Sequence, residues 1–356
     1  MIVLFTSNET GGVLQFVMQM VNTLTEMNYS VKAFIPKGAV VTVKKTQEDQ
    51  VCFYKKKKTI NRFDITLQEL SDRILSFNPS VIWIFDDTIH STEISLLIGN
   101  RAKQILTIHD GGETHSTNIK GAKQVARRLL EKIMKDKSLK KVDKILLLSE
   151  NSKKTFIQHY PNYIEKIALI NLGAHVPDAL EIKPSDNLPN AYFLFFGRID
   201  KYKGILRLIK AYKAYHGKLG LVIAGKGTLT DEEAIEIDRE NRCVLINRYI
   251  SDEEMIWLFR NAHALVLPYL DATQSGIIPI AYKFGKPVIV SNVQGLTQFV
   301  VDGSTGYICN TDEDYVKAFS KIEMRPLSYE QPCKDYYSSN LDWNRNIESL
   351  FQQFLN

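Results

Sequence analysis

This sequence predicts an α/β protein made of two doubly wound domains in tandem, and three observations carry the expectation. Short, wholly apolar runs rich in β-branched residues recur from end to end, helix-period segments separate them, and the alternation pauses once, over a stretch holding three prolines. Strands that are apolar on both faces belong to parallel sheets covered by helices on each side. A length of 356 residues suits two domains.

In order, IVLFT (2–6), VKAFI (31–35), VIWIF (81–85), QILTI (104–108), KILLLS (144–149) and IALI (167–170) are the strands expected of a first domain, 1–175. The proline-bearing stretch VPDALEIKPSDNLPN, 176–190, has few large apolar groups and reads as a linker. YFLFFG (192–197), LGLVIAG (219–225), CVLI (243–246), ALVLP (264–268) and KPVIV (286–290) follow as the strands of a second domain, 191–340. The tail DWNRNIESLFQQFLN has an amphipathic helical pattern, and a helix over 341–356 is expected to pack back toward the first domain. In such sheets ligands bind beyond the strand C-termini, here where these face an interdomain cleft.

Composition removes several classes of function. Hydrophobic residues at 44% and charged residues at 24% are ordinary globular values, and no run of 18 or more apolar residues appears. The N-terminal run breaks early at polar residues, so neither a signal peptide nor a membrane span is expected, and the reading is cytoplasmic. Cys52, Cys243, Cys309 and Cys333 are scattered without the spacing of a disulfide framework or zinc site.

The net charge of +5 is uneven. Residues 1–180 hold 25 Lys and Arg against 18 Asp and Glu, leaving 20 against 22 for the rest. The basic excess concentrates in KKKK at 55–58 and in GAKQVARRLLEKIMKDKSLKKVDK, where Val125, Leu129, Ile133 and Met134 recur at helical spacing among Lys and Arg. Such a helix is either a solvated face packed on a sheet or one that adheres to anionic lipid at the inner face of a membrane. No aromatic-interleaved basic motif accompanies it, so nucleic acid is not an expected partner.

The densest candidate chemistry is GRIDKYKG at 197–204, directly after the strand YFLFF and directly before the helix-period segment ILRLIKAYKAY. A glycine at the strand end lets a ligand approach the backbone. Arg198 and Lys203 flank a helix start, whose free N–H groups already favour an anion, so the segment reads as a diphosphate clamp or, more plainly, as a strand-helix turn with two surface cations.

GRIDKYKG resembles the GRxxxxKG motif of retaining glycosyltransferases of family 4, which have the GT-B fold. NRYISDEEMIWLFRNAHALVLPY and GKPVIVSNVQGLTQFVVDGSTGYI resemble two further motifs of that family, in the right order. The resemblance is strong over about 192–320 and weak before. It implies two Rossmann-like domains facing a cleft, with Arg198 and Lys203 on the diphosphate of a nucleotide-sugar. The nucleotide-sugar is then a substrate, and neither a cofactor nor a metal is expected. It also implies transfer of a hexose-type sugar, with retention, to a lipid-linked or glycan acceptor in surface polysaccharide synthesis.

Around that core the resemblance implies a wider site. Gly11 and Gly12 open a helix after the first strand, where family members bring backbone N–H groups to the donor; a plain strand-helix turn would look the same. His109, ending QILTIHD, is placed to hydrogen-bond a sugar hydroxyl and respond to charge in the transition state. Glu113 is a weaker candidate for acceptor contact. Gly225 in GKG, together with Arg248 and Tyr249 in NRYIS, falls near the nucleotide. TDED at 311–314 contains an Asp-x-Asp triplet but reads as a helix N-terminus, and Asp86 and Asp87 read as loop structure.

One departure matters. The family usually carries two glutamates eight residues apart before G-x-P-V, and here Ala272 and Ile280 stand in their places. The loop LDATQSGII is then expected to act through backbone N–H groups at Ser275, Gly276 and Ile277, with Gln274 offering a neutral amide and Asp271 one position early. The loss motivates a second reading, a weak or inactive scaffold at the membrane. A sugar-nucleotide epimerase of the same fold is a third.

Overall fold

The apolar runs of the first half form a seven-stranded parallel sheet in a computed structural model that describes residues 1–40, 43, 47–55, 65–109, 122–177, 179–272 and 274–355. Its elements are β1 (Ile2–Phe5), α1 (Gly12–Glu26), β2 (Val31–Pro36), β3 (Val51–Tyr54), α2 (Ile65–Leu75), β4 (Val81–Ile84), α3 (Ile89–Ile98), β5 (Lys103–Ile108), α4 (Ala122–Lys141), β6 (Lys144–Leu147), α5 (Glu150–His159) and β7 (Ile167–Leu169). The strand order is β3-β2-β1-β4-β5-β6-β7, with every pairing parallel. β1 and β4 are fully buried, as wholly apolar central strands require. Trp83 of β4 is enclosed and donates its indole N–H to Thr107 Oγ1 at 2.8 Å.

The second sheet repeats the design with β8 (Tyr192–Phe196), α6 (Ile205–Lys213), β9 (Gly220–Ala224), α7 (Asp231–Asp238), β10 (Cys243–Ile246), α8 (Asp252–Asn261), β11 (Ala264–Leu267), α9 (Ile277–Lys283), β12 (Val288–Ser291), α10 (Gln294–Thr297), β13 (Gly306–Cys309), α11 (Asp312–Met324) and α12 (Glu330–Tyr336). Its order is β10-β9-β8-β11-β12-β13, again all parallel. Both sheets therefore reverse direction beside their first strand, between β1 and β4 and between β8 and β11. These are the switch points at which open α/β sheets gather ligands.

The chain divides into one unit of Met1–Ile170 with Ile347–Asn356, and a second of Asn171–Asn346. The sequence-based boundary at 175/176 falls later than this, and the reason is packing. A Cβ at Gly173 would lie 2.7 Å from the Trp343 ring and from the Leu341 carbonyl, and Ala174 joins the second core. The stretch 176–190 is likewise pinned to the second unit rather than free. Glu181 pairs with Arg260 at 3.0 Å, Lys183 lies over the Trp257 ring, Ile182 N–H donates to the Glu253 carbonyl, and Leu188 is buried.

The last helix, α13 (Trp343–Leu355), starts in the second unit and from Ile347 onward belongs to the first. There Phe351 meets the rings of Tyr29 and Trp83, and Lys103 lies over the Phe354 ring. The basic segment forms α4, with Met134 and Leu139 buried while Leu130 and Ile133 are exposed. Glu113, Asp110 and most of KKKK at 55–58 lie outside the described residues.

Candidate functional site

In the second unit the site begins with strand ends that only glycine can form. Gly197 follows β8 with φ +134°, and Gly225 follows β9 with φ +150°. A Cβ on Gly225 would sit 1.8 Å from the Gly197 carbonyl oxygen, and one on Gly227 would sit 1.9 Å from that of Ile199. Asn247, beyond β10, accepts from Gly227 N–H at 3.0 Å and extends the brace across a third strand. Gly225, expected near the nucleotide, is thus required by the contact between two backbones. At Gly197, by contrast, a Cβ would meet nothing within 4 Å, so its backbone faces open space.

The two cations of GRIDKYKG occupy different surroundings. Arg198 is exposed, 3.6 Å from Asp200 and 3.3 Å from the Tyr202 hydroxyl to which it donates. Lys203 is half-buried, with its ammonium 3.5 Å from the ring centre of Tyr269 and 4.7 Å from that of Tyr202. Burial, then the nearby Arg198, pushes its pKa down to about 8, with Asp200 pulling weakly the other way. Immediately after it α6 starts at Gly204, where no side chain caps the helix. The first-turn N–H groups of α6 are therefore left without side-chain acceptors beside both cations.

Across the switch point, the loop after β11 holds the segment LDATQSGII, expected from the sequence to act through its backbone N–H groups. Tyr269 and Ser275 are buried, with the Tyr269 hydroxyl beside the Ser275 side chain, and the Gln274 Oε1 finds no hydrogen-bond partner among the described residues. A buried oxygen left this way is costly unless something else satisfies it. Gly276 caps α9 in an ordinary conformation with open space at its Cβ position, and Ile277 starts the helix. Ile280 is buried in the core, Ala272 packs against it, and Asp271 is exposed.

Arg248 is committed elsewhere. Its guanidinium donates to both Glu254 carboxylate oxygens at 2.7 Å, to Asp186 at 2.9 Å and to the Tyr249 carbonyl at 3.2 Å. Glu254 also completes the capping box with Ser251 that starts α8. Arg248 therefore fixes this helix start and the 186 segment through both terminal nitrogens of its guanidinium. Tyr249 is 74% exposed. The triplet in TDED is equally occupied: Asp314 accepts from the N–H groups of Asn310 and Thr311 at the start of α11, and Asp312 pairs with Arg207 at 2.9 Å.

In the first unit, Gly11 and Gly12 are exposed at the uncapped start of α1, with nothing within 4 Å of either Cβ position. The loop leading to them is anchored by Asp86, which is buried. Its Oδ2 accepts from Thr6 Oγ1 at 2.7 Å and Ser7 N–H at 2.8 Å, and its Oδ1 accepts from the hydroxyls of Ser7, Thr88 and Ser91. Asp87 pairs with Lys135 of α4. His109 ends β5 half-buried, and its Nε2 lies 2.8 Å from the Phe85 carbonyl. A carbonyl only accepts, so Nε2 carries the proton in this contact and Nδ1 is the other ring nitrogen.

Sequence reasoning missed Tyr202, Tyr269 and Asn247. Asn247 opens the NRYIS motif and Tyr202 lies inside GRIDKYKG, so both carried a local signal. Tyr269 meets Lys203 from a loop far along the chain, a pairing that no local pattern encodes.

Two parallel sheets of matching topology with a shared switch-point design make this a two-domain, Rossmann-like protein of the GT-B glycosyltransferase architecture. Residues 179–336 match the family glycosyl transferases group 1. Among curated relatives, an alpha-1,3/1,6-mannosyltransferase of Dictyostelium discoideum is 38% identical over 100 residues, 27% of this chain and 23% of that protein. An O-antigen chain mannosyltransferase of Salmonella typhimurium is 25% identical over 53% of each chain. A capsular polysaccharide biosynthesis glycosyltransferase of Staphylococcus aureus is 28% identical over 67% of each. The chain thus spans about half or less of the first two relatives. Anabaena HepE in complex with UDP superposes with a TM-score of 0.74 at 14% identity, covering 99% of this chain and 100% of that one. At that identity the likeness is one of fold.

Proposed function

We propose that the chain is a metal-independent retaining glycosyltransferase that moves a hexose-type sugar from a nucleotide diphosphate donor to a lipid-linked or oligosaccharide acceptor in surface polysaccharide synthesis. The observation that carries this is the pair Arg198 and Lys203 at the uncapped start of α6, beside the switch point of the second sheet. Capsule and O-antigen relatives support the pathway class, and the UDP complex of a protein with the same fold supports the donor class.

The chemistry follows from charge. As the bond between sugar and diphosphate breaks, negative charge accumulates on the leaving phosphate. Fixed cations and helix N–H groups aimed there stabilise the transition state more than the ground state. Arg198 and Lys203 fill that role. Ser275, Gly276 and Ile277 offer backbone N–H groups, and the Gln274 and Ser275 side chains offer partners for sugar or ribose hydroxyls in place of the absent glutamates. Within the first unit, His109 keeps Nδ1 clear of the Phe85 carbonyl, and Gly11 and Gly12 form an open helix start.

Calorimetric titration with UDP-, GDP- and ADP-sugars tests the reading directly. At least one should bind, and folded protein that binds none would refute it. Arg198→Ala should weaken the productive donor by about 1.5 to 3 kcal/mol, the scale of a hydrogen bond to a charged group. Unchanged affinity would take Arg198 out of the site.

The acceptor side supports a membrane-surface setting. No described helix is long and apolar enough to cross a bilayer, but α4 exposes Leu130 and Ile133 beside the exposed Lys132 and Lys137. Binding to anionic vesicles at a cytoplasmic leaflet should fall as ionic strength rises past ~0.1 M, where screening reaches about 10 Å. Flotation that ignores salt would count against it.

A further inference from the structure

We propose that Tyr269 is a positioning residue whose ring, together with that of Tyr202, cradles the Lys203 ammonium as an uncompensated cation for the phosphates of a nucleoside diphosphate. This rests on the reading of the second unit as a donor-binding domain and names the device that readies its lysine.

The geometry is fixed by backbone. Gly204 adopts the left-handed conformation at φ +69°, and its Cβ position lies 2.1 Å from the Pro268 carbonyl oxygen, so only glycine lets these loops meet. Leu270 N–H then donates to the Tyr202 carbonyl at 2.8 Å. Residues 202–204 and 268–270 are thereby held against each other, which sets Lys203 over the Tyr269 ring at 3.5 Å. Tyr269 itself is anchored by its carbonyl, which accepts from the buried Ser291 hydroxyl at 2.5 Å.

The chemistry of the cradle is what makes it suited to an anion. A half-buried lysine is usually satisfied by a carboxylate, which would neutralise it and compete with any incoming phosphate. The charged groups facing Lys203 are Arg198, which repels it, and Asp200, which lies within 4 Å of Arg198 instead. From the loop after β11 it meets a ring. An aromatic face attracts a cation through its quadrupole and leaves the charge intact. Burial lowers the lysine pKa toward about 8, so a diphosphate that replaces the missing countercharge also fixes the proton.

The sign of the pH effect follows. Below about 8 the free protein already carries the ammonium and binds the anion at full strength. Above it, binding must first take up a proton, so affinity falls as pH rises. Measuring above pH ~7 keeps the ligand's own second phosphate ionisation, near 6, out of the range.

The test combines two readouts on the full chain. NMR titration of lysine-labelled protein, with Lys203 assigned by loss of its signal in Lys203→Arg, reads the midpoint without any ligand. Calorimetry with UDP and GDP reads affinity from pH ~7 to ~9.5, a range wide enough to cross the lysine midpoint. In wild type the midpoint should lie near 8. Tyr269→Leu keeps the site apolar but removes the ring's attraction for the cation, so it should lower the midpoint by about half a unit or more and weaken diphosphate binding about tenfold at neutral pH. Tyr269→Phe should restore both, because the ring and not the hydroxyl holds the cation.

Since Tyr269 is buried, Tyr202→Leu provides the same test at a more exposed ring and should move both readouts in the same direction by less. A wild-type Lys203 that titrates with the surface lysines would overturn the proposal. So would a folded Tyr269→Leu with unchanged midpoint and affinity, or a Tyr269→Phe as impaired as the leucine variant. If the midpoints follow the expected pattern while no diphosphate binds wild type, the cradle stands and the transferase reading fails.

Discussion

Gly225→Ala is expected to unfold the second unit or leave it marginal, at a cost of more than about 4 kcal/mol. The added Cβ would lie 1.8 Å from the Gly197 carbonyl oxygen and 2.7 Å from its carbonyl carbon, and neither atom can turn away as a flexible side chain could. Relief would require parting β8 from β9, whose C-terminal ends are tied by the Gly197 N–H to Ala224 carbonyl bond at 3.0 Å. The backbone at φ +150° adds strain for any residue with a Cβ. Gly276→Ala is the matched control: φ is −72° and the Cβ position is empty, so stability should stay within about 0.5 kcal/mol. Amide hydrogen exchange separates the outcomes, because it reports each unit on its own in a protein for which a single unfolding midpoint is not defined. Retained protection in β8 and β9 of the Gly225 variant would show that the strand ends can part cheaply.

That contrast bears on how much was legible beforehand. The eleven apolar runs are strands because buried parallel strands need side chains apolar on both faces, a property written locally. β3 and β13 escaped because VCFY and GYIC are not β-branched apolar runs, with Phe53 44% exposed and Gly306 opening the latter. The helix start at Thr311 was legible in TDED, and the structure completes it as a capping box. The unit boundary at Asn171 was not, since it depends on Leu341 and Trp343 closing over Gly173 from the far end of the chain. The same limit applies in the site. GRIDKYKG announced two cations beside a helix start, but that Lys203 stands against the Tyr269 ring is decided by a residue distant in sequence. Gly225 shows that a glycine in a ligand-like motif is also demanded by its neighbouring strand.

Asp86→Ala should destabilise the first unit by about 3 to 5 kcal/mol and loosen the loop that ends at Gly11 and Gly12. The buried carboxylate gathers six donors from Thr6, Ser7, Thr88 and Ser91, so its removal strands several polar groups at once where water cannot readily reach them. Asp86→Asn discriminates between lost charge and lost shape. Its amide oxygen can still accept from Thr6 Oγ1 and the Ser7 N–H, while its amide nitrogen can face the hydroxyls of Thr88 and Ser91, which can turn to accept. The cost should then fall to about 1 to 2 kcal/mol. Trp83, enclosed on β4 three residues before Asp86, is a local reporter once Trp257 and Trp343 are changed to Phe. Its emission should shift at lower urea in the alanine variant than in the asparagine one. Because Tyr54 also donates to the Thr6 carbonyl at 2.8 Å, the loop retains one tie in either variant and should loosen rather than detach. Donor affinity is therefore expected to fall in step with the stability loss if Gly11 and Gly12 touch the ligand, and to stay level if they form only a turn. The series thus reads, from a residue that touches no ligand, whether the first unit takes part in holding one.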